Sequence, residues 1–166
     1  MIGIGVIGYG YWGPNLSRSV AETEGCRLAG IADFSAAALS RAAKRYPGLA
    51  LHQDPRALID DPAVDAVLIA TPVATHYDLA IAALRAGKHV IVEKPITASS
   101  DDARRLIEEA TRHNLTLMVD HTFVYTSAVQ KIGEIIRSGD LGDVYYYDST
   151  RVNLGLFQHD VNVIWD

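Results

Sequence analysis

Three glycines near the start of the chain, Gly8, Gly10 and Gly13, follow the pattern G-x-G-x-x-G. They lie between an apolar run, IGIGVIG, that predicts a buried strand, and a segment from Pro14 that predicts a helix. In such a unit the first glycine allows a tight turn, the second lets a pyrophosphate approach the backbone, and the third lets the helix pack on the strand. Free N–H groups at the helix N-terminus then favour phosphates. The loop therefore predicts a dinucleotide-binding site, with an ordinary tight turn as the alternative.

An aspartate stands where a dinucleotide-binding loop needs an acid. Asp33 follows Gly13 by 20 residues and ends the second predicted strand, RLAGIAD. A carboxylate at that point accepts hydrogen bonds from the adenosine ribose hydroxyls and repels a 2′-phosphate. Because no arginine comes directly after it, the sequence favours NAD over NADP. The alternative is an aspartate that is merely exposed at the surface.

Two large aromatic residues, Tyr11 and Trp12, stand between the second and third glycines. They are compatible with two roles at the start of a helix. They either pack into the core, or cover the cofactor or contact the substrate. Both are kept as candidate cofactor contacts.

Polar residues also follow three later apolar strands, at the sheet edge where open α/β proteins bind their ligands. The candidates are, in chain order, Thr71, Pro72, His76, Glu93, Lys94 and His121. The ammonium group of Lys94 is placed to hydrogen-bond a substrate hydroxyl and to stabilise developing negative charge. Its alternative is a lysine that leaves the sheet for water. For His76 the alternative is a histidine on a helix surface, and for His121 a histidine that merely ends a strand.

Apolar runs rich in Val, Ile and Leu alternate with helical patterns over residues 1–122. Strands without polar alternation are buried on both faces, so the alternation predicts an α/β fold with a doubly wound parallel sheet. Ser35 is expected to cap the second helix. Thr75 and Asp78 form a possible capping box on a later one.

The pattern changes beyond residue 122. A helical segment, SAVQKIGEIIRSG, is followed by DVYYYDSTRVNLGLF, which predicts one long strand and no further helix. We therefore expect a cofactor-binding domain in residues 1–122 and the first helix and strand of a second domain in residues 123–166. An exposed apolar strand edge invites pairing, so we expect either dimerisation through that strand or a partly disordered tail.

Composition argues against several classes of protein. The formal net charge of −5 disfavours a nucleic-acid partner. No apolar run approaches the ~18 residues of a membrane helix, and no basic signal-peptide region follows Met1. The single cysteine, Cys26, permits no internal disulfide and fits a cytoplasmic setting. No metal site is expected.

The glycine loop and the segments ATPVATH, GKHVIVEKPI and SGDLGDVYYYDSTRVNLG together resemble the Gfo/Idh/MocA family of NAD(P)-dependent sugar oxidoreductases. GYGYWGPN and RVNLGLFQHDVNVIWD are similar to its branch acting on nucleotide-linked sugars, such as UDP-N-acetylglucosamine or its uronic acid. The resemblance implies a Rossmann domain followed by an α/β domain with an open, mostly antiparallel sheet. That sheet binds the substrate and often forms a homo-oligomer interface.

The resemblance also implies roles for individual residues. Lys94 corresponds to the lysine of the family's EKP motif, near substrate and nicotinamide, while Thr71, Pro72 and His76 match the segment that passes along the cofactor. Substrate contacts are implied for His121, Arg151, Asn153 and Asn162.

The catalytic pair of the family is an aspartate followed four residues later by a histidine that acts as general acid and base. Asp166 matches that aspartate. In the full reaction the histidine would take a proton from a sugar hydroxyl while hydride moves from the same carbon to nicotinamide, with Lys94 and Asp166 positioning the hydroxyl. Because the matching histidine would come after Asp166, we expect the chain to bind NAD with little turnover. The alternatives are a catalytically silent NAD-binding module and a Rossmann reductase of another class.

Overall fold

A single parallel sheet forms the centre of the computed structural model, which describes residues 1–150. Its six strands are β1 (Ile2–Ile7), β2 (Cys26–Ala32), β3 (Ala50–His52), β4 (Ala66–Ile69), β5 (His89–Glu93) and β6 (Leu117–Asp120). They lie in the order β3-β2-β1-β4-β5-β6, and every neighbouring pair is parallel. The chain order reverses between β1 and β4, which confirms the predicted doubly wound α/β fold.

Helices connect the strands and continue beyond them. They are α1 (Gly13–Glu22), α2 (Ala36–Arg45), α3 (Pro55–Ile59), α4 (His76–Arg85), α5 (Ser100–Arg112) and α6 (Ser127–Ser138). Two short 3₁₀ turns, Val73–Thr75 and Thr122–Tyr125, come before α4 and α6.

Successive side chains of a strand point to opposite faces of the sheet. Helices cover both faces, so both sets of side chains are buried. On one face Val6 and Ile31 pack with Val20 of α1 and with the buried alanines of α2. On the other face Ile7 of β1 and Val67 and Ile69 of β4 pack with buried residues of α3, α4 and α5. The sheet therefore lies between two hydrophobic cores, one on each face.

The predicted helix caps have opposite outcomes. The side chain of Ser35 accepts a hydrogen bond from the amide of Ala38 at 3.3 Å, which confirms it as the cap of α2. Thr75 makes no such bond, so the capping-box prediction was wrong. Its Oγ1 lies 2.7 Å from the Oγ1 of Thr71 and 2.8 Å from the carbonyl oxygen of Pro72. The hydroxyl is turned away from α4 because a 3₁₀ turn comes immediately before that helix.

Residues 1–120 form one compact unit, and residues 121–150 belong to a second. In the second unit α6 ends at Gly139, whose φ of 80° is favourable for glycine. The long strand predicted from residue 143 is absent over residues 144–150, where Tyr145, Tyr146 and Tyr147 are exposed. A strand needs a partner for its backbone groups, and none pairs with this segment among the described residues. The rest of the predicted strand lies outside the described residues.

A charge cluster fastens α5 to α4. Glu109 is 6% exposed, and its carboxylate accepts a hydrogen bond from Nε of Arg85 at 3.2 Å. Arg112 donates to the other carboxylate oxygen, and Nε2 of His113 lies 3.5 Å from the first. Burial raises the pKa of Glu109, but Arg85, Arg112 and His113 together outweigh burial and lower the pKa below the usual glutamate value.

A lowered pKa in the folded state means that the charged form of Glu109 stabilises the fold. That contribution is present above the ordinary glutamate pKa of about 4.3 and is lost as the pH falls through the lower folded-state value. We expect Glu109→Gln to reduce the melting temperature at pH 7, with the difference from wild type shrinking toward acidic pH. Thermal unfolding monitored by circular dichroism from pH 7 to strongly acidic pH checks this. The exposed neighbour Glu108 supplies the control Glu108→Gln; a Glu109 effect that is constant with pH would contradict the assignment.

Candidate functional site

The glycine loop joins β1 to α1 and has one open position between two tight ones. Gly8 has a φ of 97°, and a Cβ there would lie 2.5 Å from the carbonyl oxygen of Ala70. A Cβ on Gly13 would lie 2.2 Å from the carbonyl oxygen of Gly8, so the third glycine lets the helix approach the strand. A Cβ on Gly10 would meet nothing within 4 Å. Packing therefore requires Gly8 and Gly13, whereas Gly10 borders open space.

Asp33 ties the end of β2 to the glycine loop. Its Oδ2 accepts a hydrogen bond from the amide of Tyr9 at 2.7 Å, and its Oδ1 accepts one from the amide of Ser35 at 2.7 Å. Each carboxylate oxygen can accept two hydrogen bonds, so each keeps capacity for one more. Asp33 therefore orders the loop while retaining acceptors for two hydroxyl groups.

A cavity of about 150 Å³ lies between the loop and the ends of β2 and β4. Its lining includes Gly8, Gly10, Asp33, Phe34, Thr71 and Pro72. The cavity thus brings together most of the predicted cofactor-binding residues of the first four strands.

The two loop aromatics are exposed, so the core-packing interpretation of Tyr11 and Trp12 was wrong. Their relative exposures are 72% and 50%, and their rings meet edge to face with centroids 5.3 Å apart. The buried aromatic of the loop is instead Tyr9, at 3% exposure. Its carbonyl oxygen accepts a hydrogen bond from Nη2 of Arg41 at 3.1 Å. Sequence reasoning missed Tyr9, which continues the unbroken run of buried residues from β1 into the loop.

His76 is buried at 1% exposure, which overturns the alternative of a histidine on a helix surface. Its Nδ1 lies 2.9 Å from the carbonyl oxygen of Pro95, and its Nε2 lies 2.9 Å from the carbonyl oxygen of Thr71. The side chain therefore bridges the segment after β4 and the turn after β5.

Glu93 and Lys94 lie at the carboxyl end of β5, and both are half-buried. The amide of Lys94 donates to Oε2 of Glu93 at 3.1 Å, and the Lys94–Pro95 peptide bond is cis. Burial raises the pKa of the Glu93 carboxyl, the charge of Asp120 raises it further, and Lys94 opposes the rise. Asp120 is the register partner of Glu93 on β6, a neighbour that only the strand pairing reveals.

The remaining predicted site residues belong to the second compact unit or lie outside the described residues. His121 is exposed and belongs to the second compact unit. Arg151, Asn153, Asn162 and Asp166 lie outside the described residues. Within residues 1–150, no group of three or more His, Cys, Asp or Glu side chains is arranged to hold a metal ion. No helix in that range is both long and apolar enough to cross a membrane.

Residues 2–121 match the Gfo/Idh/MocA model, described as an oxidoreductase family with an NAD-binding Rossmann fold. The chain is 33% identical over 154 residues to inositol 2-dehydrogenase 2 of Saccharopolyspora erythraea, covering 92% of this chain and 45% of that protein. A scyllo-inositol dehydrogenase from Lactobacillus casei with bound NAD(H) and scyllo-inositol superposes with a TM-score of 0.80 at 25% identity, covering 86% of this chain and 43% of that one.

A third comparison involves a nucleotide ligand. A 3-ketoreductase from Actinomadura kijaniata, in complex with TDP-benzene and NADP, superposes with a TM-score of 0.76 at 28% identity, covering 86% of this chain and 46% of that one. The chain thus spans less than half the length of each of these three proteins. It belongs to the Gfo/Idh/MocA family of oxidoreductases with an NAD-binding Rossmann fold.

Proposed function

We propose that this chain is the cofactor-binding part of an NAD-dependent oxidoreductase that acts on a sugar hydroxyl. The observation that carries the proposal is the cavity where Gly10 borders open space beside the Asp33 carboxylate. A dinucleotide needs both features: room for its pyrophosphate at the loop and acceptors for its ribose hydroxyls at the end of the second strand. The residues present therefore fit NAD.

The preference for NAD rests on the charge of Asp33. Its carboxylate would accept the two ribose hydroxyls and repel a phosphate at the 2′ position. Arg41 of α2 already donates a hydrogen bond to the carbonyl oxygen of Tyr9 in the loop. One similar structure contains NAD(H) and another contains NADP, so the preference is proposed from this chain's own residues.

Bound NAD would supply the hydride acceptor, and the chain's residues would hold the sugar and steer its proton. Lys94 stands at the end of β5, where an ammonium group would donate to the reacting hydroxyl and stabilise its developing negative charge. Thr71, Pro72, His76 and Glu93 would support the nicotinamide side of the cofactor, while Tyr11 and Trp12 would cover it from the loop. We further propose a nucleotide-linked sugar as substrate, which the ligand of the Actinomadura 3-ketoreductase supports.

Cofactor titration and a substrate assay test the proposal separately. Isothermal calorimetry of the 166-residue chain with NAD and NADP measures binding; absence of NAD binding would overturn the proposal. A version carrying a full-length substrate domain, assayed for NADH formation, should respond to a panel of free and nucleotide-linked sugars. Activity restricted to free sugars would remove the nucleotide-linked refinement alone.

The loop glycines should separate binding from folding. Gly10→Ala adds a methyl group into open space, so we expect an unchanged melting temperature but about tenfold weaker NAD binding, because the methyl group occupies the pyrophosphate approach. Gly13→Ala forces a methyl group against the Gly8 carbonyl and should cost about 1–3 kcal/mol of stability. Thermal unfolding and calorimetry measure both effects. Full NAD affinity in folded Gly10→Ala would contradict the assigned site.

The charge of Asp33 should determine cofactor choice. We expect Asp33→Asn to weaken NAD binding about tenfold, since an amide accepts fewer hydrogen bonds than a carboxylate. The difference in affinity between NAD and NADP should become smaller, because an amide does not repel a phosphate. Asp65→Asn is the matched control, because Asp65 also accepts a backbone hydrogen bond, from Gly3 at 2.7 Å, and does not line the cavity. An unchanged ratio of NAD to NADP affinity in Asp33→Asn would argue against this role.

A further inference from the structure

Both ring nitrogens of His76 lie within hydrogen-bond distance of backbone carbonyl oxygens. Nδ1 lies 2.9 Å from the carbonyl oxygen of Pro95 and Nε2 lies 2.9 Å from that of Thr71, with the residue 1% exposed. A neutral imidazole carries one N–H, so it satisfies one of these carbonyls and turns a lone pair toward the other. The imidazolium carries an N–H on each nitrogen and donates to both.

We infer that His76 is a positioning residue that, in its doubly protonated form, clamps the segment after β4 to the Lys94–Pro95 turn. The role rests on the proposed function, because the two clamped segments supply Thr71 and Pro72 on one side and Lys94 on the other. A displacement of about 1 Å at such positions lowers catalytic rates substantially. A bridge from one backbone carbonyl to another fixes the distance between the segments without depending on any other side chain.

The imidazolium form of His76 is disfavoured by some of its surroundings and stabilised by others. Burial and the N-terminus of α4, where His76 is the first residue, both disfavour positive charge. The charged residues nearest in the chain to His76 and Pro95 are Asp78, in the first turn of α4, and Glu93 and Lys94, directly before Pro95. Residues 70–75, after β4, carry none. The two carbonyl oxygens, each at hydrogen-bond distance, are the groups that compensate for burial, since charge-assisted hydrogen bonds are about twice as strong as neutral ones.

Nuclear magnetic resonance on the wild-type chain, uniformly labelled with ¹⁵N and ¹³C, tests the bonding directly. At about pH 6, His76 should show two slowly exchanging ring N–H protons, each with a scalar coupling across its hydrogen bond to the carbonyl carbon of Thr71 or Pro95. A single ring N–H at that pH, or a ring nitrogen of the unprotonated type, would overturn the inference. This measurement needs neither cofactor nor substitution.

Variants then test the positioning role. His76→Leu removes both ring nitrogens and retains apolar bulk, whereas His76→Gln supplies amide donors. The control is His113→Gln, at an exposed position directly after α5. We expect about tenfold faster amide exchange in residues 71–75 and 94–97 of the folded leucine variant, with partial recovery in the glutamine variant. NAD affinity should fall about tenfold in the leucine variant and stay unchanged in the control.

The outcomes separate the two proposals. If the wild-type chain does not bind NAD, the proposed function fails, whereas the ring N–H measurement still decides the clamp. If the wild type binds NAD and His76→Leu shows wild-type exchange rates and affinity, the positioning role is overturned. Should the leucine variant fail to fold, the ring N–H measurement on the wild type and the glutamine variant decide it.

Discussion

All six strands of the sheet run in the same direction, and this constraint determines where everything else in the first compact unit lies. Parallel strands bring all their carboxyl ends to one edge. Their side chains are buried on both faces, so chemistry is confined to the residues that follow each strand. The Gly8–Gly13 loop, Asp33, Thr71 and Lys94 follow four different strands. The reversal of strand order between β1 and β4 opens the space into which these segments lead.

The residues at this edge hold one another in place before any ligand is considered. Asp33 accepts hydrogen bonds from two backbone amides, and His76 lies within hydrogen-bond distance of two backbone carbonyl oxygens. Both side chains thus contact main-chain groups of the segments that follow the strands. Because Asp33 also lines the cavity, the order of the glycine loop and the shape of the cavity depend on the same hydrogen bonds. Preorganisation of this kind reduces the free energy that a ligand must spend on ordering its own site.

Carboxylates in this fold have opposite environments according to their partners. Glu109 joins α5 to α4 among Arg85, Arg112 and His113, and these cations lower its pKa in spite of burial. Glu93, at the ligand edge, has burial and the neighbouring charge of Asp120 raising its pKa, with Lys94 in opposition. The first arrangement stabilises helix packing. The second holds a carboxyl group that accepts a proton more readily than usual beside the proposed substrate lysine.

Sequence patterns alone determined the strand and helix order, the doubly wound sheet, the glycine loop with its acid, and the cap at Ser35, because each depends on periodicity or on neighbours a few residues apart. The tertiary structure decided the burial of His76 and Tyr9, the exposure of Tyr11 and Trp12, the lost cap at Thr75, and the pairing of Glu93 with Asp120. It also showed that residues 144–150 form no strand, since a strand exists only with a partner. His76 and Pro95 are 19 residues apart in the chain, and Tyr9 and Asp33 are 24 apart. Such contacts depend on strand register and on which segments the sheet brings to the same edge, and no local pattern in the sequence contains that information.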